Sequence, residues 1–397
     1  MMRLRSGVRT SLAVIAFLEA GAARAEAPPA DVPPEAVVGD VPFLKWPEMN
    51  RVALNLAPDG ARAFKLVLDT GASDSVLTPQ YARDLGVSIR AARERPYEID
   101  TRLGRSLQFW VDTQSSTSRA RTHFEYGLLG GTFLAEYVLE IDFAGRRVRF
   151  IDPEKYTVPK EVSAPDEAVL PLKVVGNRAI LTVELEGKPV EVMFDTGAWD
   201  TLMISGRAAE RAGFERPAIA SMTVGGVIGS TQGQLVEAEK LAFGPFVYAN
   251  VPMTVVPHGF YNQGPSSDSL IGYEVMRHFT VRLDYPRKRL WLRRVDEEPL
   301  TWFGIPWQTA KRVGILADVE EQGIKVLSVL PNTPAARLGI HEDDTIEFHG
   351  EGDTKAKLDA LLAKIERGQK VTVARLEADD VIGDVELGGD GEPAKSP

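Results

Sequence analysis

The chain has 397 residues, 44% of them hydrophobic, 26% charged and 8% aromatic, enough apolar material for two or three packed domains and unlike a disordered or collagen-like composition. A net charge of −10, with no run of Lys and Arg to track a phosphate backbone, argues against nucleic acid as a partner. The lack of cysteine excludes disulfides, thiolate nucleophiles, thiolate zinc sites and iron–sulfur clusters.

Taken in chain order, the first 25 residues carry Arg3, Arg5 and Arg9, the apolar stretch Leu12 to Leu18, then Ala23-Arg24-Ala25. That order predicts a secretory signal peptide over 1–25, cleaved after Ala25, and hence a periplasmic or secreted protein. The apolar run falls far short of the roughly 20 residues needed to cross a bilayer, and Glu19 interrupts it. No later segment approaches that length, so no membrane span is expected. Residues 26–44 read as a flexible Pro- and Ala-rich leader. The proline-rich stretch 153–167 reads as a linker, and 388–397 as a disordered tail.

The segments flanking that linker match each other. Asn50-Arg-Val-Ala-Leu-Asn-Leu leads through a Pro58-Asp-Gly60 turn to Phe64-Lys-Leu-Val-Leu-Asp-Thr-Gly-Ala72. Its partner, Asn177-Arg-Ala-Ile-Leu-Thr-Val, leads through Glu186-Gly187 to Val190-Glu-Val-Met-Phe-Asp-Thr-Gly-Ala198. Each copy predicts a hairpin whose second strand ends in Asp-Thr-Gly-Ala. Further on, Gly127-Leu-Leu-Gly130 corresponds to Ser269-Leu-Ile-Gly272, and Asp142 to Asp284, both at an offset of 142. A lone Asp-Thr-Gly arises by chance in roughly one chain in ten of this length; two, each ending an apolar strand and each followed by an aligned Φ-Φ-Gly, mark a duplicated lobe.

Glycine permits a tight turn at a strand end, the Asp projects from it, and the Thr hydroxyl can bond across to a neighbouring segment. Two such turns face to face would bring Asp69 and Asp195 together. Carboxylates that close cannot both ionise, so one holds a proton while the other is a base, the arrangement for general acid/base hydrolysis with water. No cofactor is expected: the five histidines are scattered, and no H-E-x-x-H, G-x-S-x-G or P-loop is present.

A strand ending in Asp-Thr-Gly-Ala and followed by Φ-Φ-Gly resembles the retropepsin-like aspartic proteases, over residues 45–152 and 168–294. The resemblance implies a mainly β fold, two retropepsin-like lobes forming an internal pseudo-dimer, and a monomeric enzyme acting on peptide or protein substrates. It implies Asp69 and Asp195 as catalytic, Thr70 and Thr196 as an interlocking pair, Gly71 and Gly197 as turn residues, and Gly130 and Gly272 as support. Asp74 and Asp200 match a position lining the substrate cleft, a capping or surface carboxylate being the equal reading. Gly225 and Gly226, in Val224 to Thr231, suit the mobile tip of a flap or a plain loop. For the first lobe, the flap candidate is Pro96 to Gly104. The family's Arg and Asp or Asn after Φ-Φ-Gly are replaced by Gly131-Thr132 and Tyr273-Glu274, so its supporting salt bridge is not expected. Ala72 and Ala198 stand where pepsin-type enzymes carry a hydroxyl that steadies the ionised pair. Their presence implies a raised lower pKa and a weakly acidic to neutral optimum.

From about Trp302 the pattern changes to short strands, a helical Pro334-Ala-Ala-Arg-Leu-Gly-Ile340, Asp344-Thr-Ile346 and a helix near 355–367. Residues 300–387 resemble a PDZ domain, an α+β module that adds a peptide strand to a sheet edge and holds its terminal carboxylate with backbone N–H groups. The resemblance implies Val313-Gly314-Ile315 as the carboxylate loop and Leu358 on the opposing helix as pocket wall; Asp343 departs from the family's usual Gly. A module that merely packs on the lobes is the alternative. For the whole chain, the alternative to an endopeptidase is a catalytically inactive peptide-binding protein on a protease scaffold.

Overall fold

The structure is a computed structural model that describes residues 32–44, 51–61, 63, 65–90, 95–111, 127–162, 164–226, 229–258, 260, 269–377 and 381–387. The expected signal peptide and tail lie outside them. The described residues are mainly β.

Each Asp-Thr-Gly strand belongs to its own sheet. The first sheet has six strands: Ala53–Asn55, Lys65–Leu68, Gly127–Leu129, Val76–Leu77, Ser106–Val111 and Tyr97–Asp100, in that spatial order. The second has eight, running Lys173–Val175, Arg178–Leu185, Lys188–Phe194, Leu270–Ile271, Leu202–Ser205, Phe246–Val256, Gly229–Phe243 and Ala220–Gly226. Alternation of buried and exposed residues along Ser106–Val111 and Arg178–Leu185 shows why these segments are strands with one face in the core.

A third, six-stranded sheet is built jointly by the two halves, with Val138–Asp142 and Phe279–Asp284 antiparallel at its centre. Asp142 pairs with Thr280, Glu140 with Arg282 and Val138 with Asp284, so the register is symmetric about the Glu140–Arg282 pair. Arg282 is fully buried and donates from Nε to Glu140 Oε2 at 2.6 Å, while Arg149 pairs with Oε1 at 2.8 Å. The Arg282 guanidinium lies 4.2 Å from the Trp291 ring centroid and donates to Tyr156 Oη. A buried pair is tolerable because each charge has such partners.

Two segments expected to be loose are part of this sheet. In the leader, Val37–Pro42 forms an edge strand on Arg147–Ile151, with Ala36 and Val41 buried. In the linker, Tyr156 and Val158 are buried and the Val158 N–H donates to Asp284 Oδ2, so that stretch is strapped beneath the sheet and ends in the strand Glu167–Pro171. Apolar side chains at these few positions hold segments whose average composition reads as polar.

Residues 300–387 form a separate five-stranded antiparallel sheet, in the order Ile315–Val319, Gly323–Val329, Thr345–Glu347, Val371–Glu377 and Val381–Leu387. Helices Trp307–Val313, Pro334–Leu338 and Thr354–Glu366 complete the unit. Its core of Ile315, Ile324, Val326, Ile346, Leu362 and Ile365 also takes in Leu235 of the eight-stranded sheet. Asp343, the departure from Gly, sits at φ 68°, a left-handed position that Asp tolerates better than most side chains.

Candidate active site

In each half, the strand leading to the Asp lies parallel to the Φ-Φ-Gly strand: Leu68 opposite Leu129, and Phe194 opposite Ile271. The Asp69 and Asp195 N–H groups donate to the carbonyls of Leu129 and Ile271, both at 3.0 Å. Gly130 and Gly272 then pass so close that a Cβ would fall 2.1 Å from Asp74 O and 2.4 Å from Asp200 O. Only glycine fits where two backbones approach this closely.

The two turns meet. The Thr70 N–H donates to Thr196 Oγ1 at 3.1 Å and the Thr196 N–H to Thr70 Oγ1 at 3.0 Å. Each hydroxyl then donates onward, Thr70 to Phe194 O at 2.5 Å and Thr196 to Leu68 O at 2.7 Å. Both threonines are fully buried, so four cross-half bonds with no competing water hold the turns in register.

Above this interlock the Asp69 and Asp195 carboxyls hydrogen-bond each other. A Cβ on Gly71 would lie 2.4 Å from Asp195 Cγ, and one on Gly197 2.6 Å from Asp69 Cγ, so each carboxyl occupies space that the other half's glycine leaves open. Their surroundings are not equivalent. Asp69 Oδ1 accepts from the N–H groups of Gly71 at 2.9 Å and Ala72 at 2.8 Å, whereas Asp195 Oδ1 accepts from Gly197 at 2.8 Å. Burial raises both pKa values; hydrogen bonds from Asp195 and from Ala72 and Gly71 counter it at Asp69, while at Asp195 the charge of Asp69 adds to it. The two carboxyls thus titrate as one coupled pair, with two N–H donors favouring negative charge on Asp69 against one on Asp195.

Arg51 is close enough for its charge to favour ionisation of Asp69, Asp195 and Asp200, while burial lowers its own pKa. The signal for it in the sequence is the Asn-Arg that opens both copies of the repeat, at Arg51 and Arg178.

The remaining predicted positions fall in different settings. Asp74 is half-buried; Asp200 is 4% exposed, its Oδ1 3.5 Å from Thr254 Oγ1, and burial pushes it up to about 7. Asp200 thus faces Thr254 inside the second sheet rather than standing as a surface carboxylate. Gly225 and Gly226 lie at the end of a hairpin, opposite Ser230 and Gly229, and a Cβ on Gly225 would meet nothing. The first-half flap candidate is corrected. Tyr97–Asp100 pairs with Ser106–Val111, the Arg102 N–H donates to Leu56 O, and Leu103 is buried where a Cβ on Gly39 would touch it. That turn packs on the shared sheet, as a closed hairpin with a buried leucine must. After Ile271-Gly272, buried Glu274 pairs with Arg277 at 2.9 Å.

In the C-terminal unit, Val313 ends a helix with its side chain buried, and Gly314 caps it at φ 88° with its N–H donating to Ala310 O at 2.8 Å. Ile315 and Leu358 are buried in the unit's core. One N–H of the expected carboxylate loop is therefore already bonded.

Residues 181–275 match a family model described as aspartyl protease, which spans the second half from its first hairpin through the short helix after Ile271-Gly272. The solved structures that resemble the chain include a retropepsin-like aspartic protease from Rickettsia conorii, 18% identical, covering 32% of this chain and 90% of that one with a TM-score of 0.25. At that identity and score the likeness adds nothing to the geometry. No curated protein matches. The family match supports an aspartic protease. No helix among the described residues is long and apolar enough to cross a membrane.

Proposed function

We propose that this chain is an aspartic endopeptidase in which two retropepsin-like lobes form an internal pseudo-dimer around one Asp69–Asp195 dyad. The supporting observation is the hydrogen-bonded carboxyl pair seated on the reciprocal Thr70–Thr196 interlock. Water held between the carboxyls gives a proton to Asp69 and its oxygen to the peptide carbonyl carbon, while Asp195 gives its proton to the carbonyl oxygen. The tetrahedral diol then collapses: a hydroxyl proton returns to Asp195, the Asp69 proton goes to the leaving nitrogen, and the C–N bond breaks. Both carboxyls end as they began. Asp69 and Asp195 are 7% and 9% exposed, so substrate access requires the hairpin ending at Gly226 and Gly229 to open.

The same reading takes the protein to be periplasmic or secreted and residues 300–387 to be a PDZ-like module. The strand Ile315–Val319 ends its sheet, and an added peptide strand would pair there. Cleavage of casein and of a peptide library by the mature protein, beside Asp69→Asn and Asp195→Asn, tests the enzyme reading. Wild-type activity between pH 3 and 8 that both substitutions abolish is expected. Inactive wild type, or active variants, would leave a peptide-binding scaffold.

A further inference from the structure

Among the residues by which the C-terminal unit reaches the second half of the candidate site, Phe303 has its backbone in an unfavourable state. Thr301–Trp302 and Ile305–Pro306 form a two-residue hairpin, Thr301 opposite Pro306 and Trp302 opposite Ile305, with Phe303 and Gly304 at the turn. Both are left-handed, at φ 48° and 86°. Turns of this kind select Asn-Gly or Asp-Gly because a bulky residue at positive φ crowds its own carbonyl. A phenylalanine kept there points to a use for its ring.

That ring stacks on Trp199, with centroids 3.8 Å apart and planes at 34°, and Trp302 meets Trp199 edge-on at 5.7 Å. Trp199 lies four residues beyond Asp195, in the turn whose Ala198 carbonyl accepts from the Tyr273 N–H at 2.8 Å. The same apolar cluster takes in Ile219, Ala220 and Met222, on the approach to and along the hairpin that ends at Gly226 and Gly229. Two polar ties flank the turn: the Thr301 N–H donates to Glu274 Oε1 at 2.5 Å, and Trp307 Nε1 and Lys311 Nζ both bond Glu237. Among the described residues the first half has no counterpart. Ser73 stands where Trp199 does in the other copy, with its hydroxyl 3.5 Å from where a Cβ on Gly176 would lie. Ordinary packing between the units is available from Trp302 and Trp307 alone, both 2% exposed, and does not require a strained phenylalanine at the tip.

We propose that Phe303 is a positioning residue of the active site: stacked on Trp199, it fixes the turn that carries Asp195 and, with Met222, the neighbouring glycine-tipped hairpin. The C-terminal unit thereby sets the second lobe's side of the cleft. The kinetic part of this inference rests on the protease reading; the structural part does not.

The test uses the full mature chain with Phe303→Asn, which suits the turn and removes the ring, and Phe303→Tyr, which keeps the ring. Amide hydrogen exchange is followed over residues 195–200 and 219–226, alongside kcat and KM on a cleavable peptide. In the Asn variant, exchange over 195–200 should speed up by about tenfold or more, and kcat should fall by roughly ten- to a hundredfold with KM nearly unchanged. Tyr should restore both. Should the Asn variant fail to fold, Trp199→Ser, which copies the first half, carries the same expectation from the other side of the stack. Wild-type exchange over 195–200 in the Asn variant, or equal losses in the Asn and Tyr variants, overturns the proposal. A wild type that cleaves nothing, with exchange still altered in the Asn variant, overturns the protease reading and leaves the positioning contact standing.

Discussion

Asp200 allows a quantitative check on the electrostatics of the second half. It is 4% exposed, Thr254 lies beside it, and burial outweighs its hydrogen bonds and the charge of Arg51 to lift its pKa from 3.8 to about 7. Below pH 4 it is protonated in folded and unfolded chains alike, so it adds no pH dependence there. Between pH 4 and 7 the unfolded chain releases this proton while the folded chain holds it, and stability falls as pH rises. Above pH 7 the loss is complete. At about 1.36 kcal/mol for each pH unit between the two values, the full loss is about 4 kcal/mol.

Asp200→Asn replaces a carboxyl that ionises by an amide of the same shape that does not, and the amide oxygen can still accept from Thr254. The two proteins should therefore be nearly equally stable at pH 4. The variant should then become progressively more stable than wild type, by up to about 4 kcal/mol at pH 8. Urea unfolding of both proteins at pH 4, 5, 6, 7 and 8, followed by far-ultraviolet circular dichroism, measures this difference. A difference that stays flat across the series, or a variant less stable than wild type at pH 8, would refute the assignment of Asp200 as a buried carboxyl held neutral.

Burial raises both members of the dyad, so peptide hydrolysis should peak at weakly acidic to neutral pH; a rate profile peaking at about pH 2–3, as expected where the lower value stays well below the usual carboxylate range, would contradict this. Gly71→Ala places a Cβ 2.4 Å from Asp195 Cγ and pushes the carboxyls apart; kcat should fall by about a hundredfold or more while circular dichroism stays native. Thr70→Val and Thr196→Val each leave buried partners unbonded, at a cost of about 1–3 kcal/mol apiece. Each variant loses its own two of the four cross-half bonds, so the double variant should lose about the sum of the two single losses, which a urea-based double-mutant cycle reads directly. Arg282→Met leaves buried Glu140 with Arg149 as its remaining close ion-pair partner and should cost up to about 3 kcal/mol, read by urea unfolding.

The parts of the fold legible in the sequence were those that the chain states twice. Asp-Thr-Gly and Φ-Φ-Gly are short, local and repeated, and the paired Asp142 and Asp284 located the hairpins of the shared sheet. What stayed hidden depends on partners far along the chain. Val37–Pro42 contains Gly39 and Asp40 and becomes a strand only because Arg147–Ile151 offers an edge. The helix Trp307–Val313 is seven residues long and starts after a proline, too short for its periodicity to show. Asp74 and Asp200 look equivalent in the repeat, yet Asp200 has a hydroxyl beside it because Thr254 pairs with Met203 where Val111 pairs with Leu77 in the first half. Trp199 reads as one more apolar residue until Phe303 is placed beside it, over a hundred positions later.

In the proposed two-lobe arrangement, positions that meet their own duplicate face opposite demands according to their chemistry. Thr70 and Thr196 can remain identical, since a hydroxyl and an N–H are each both usable by a like residue across the axis, and reciprocity completes every bond. Glu140 and Arg282 cannot: two buried glutamates, or two buried arginines, at that central register would repel without relief. A single chain carrying both copies lets the two positions diverge into a buried ion pair, and once they have diverged the first lobe no longer matches a second copy of itself. That commitment frees one lobe to change alone. Ser73 lies near Gly176 while its counterpart Trp199 meets the C-terminal unit, so the two copies differ at the cleft as they differ at the axis.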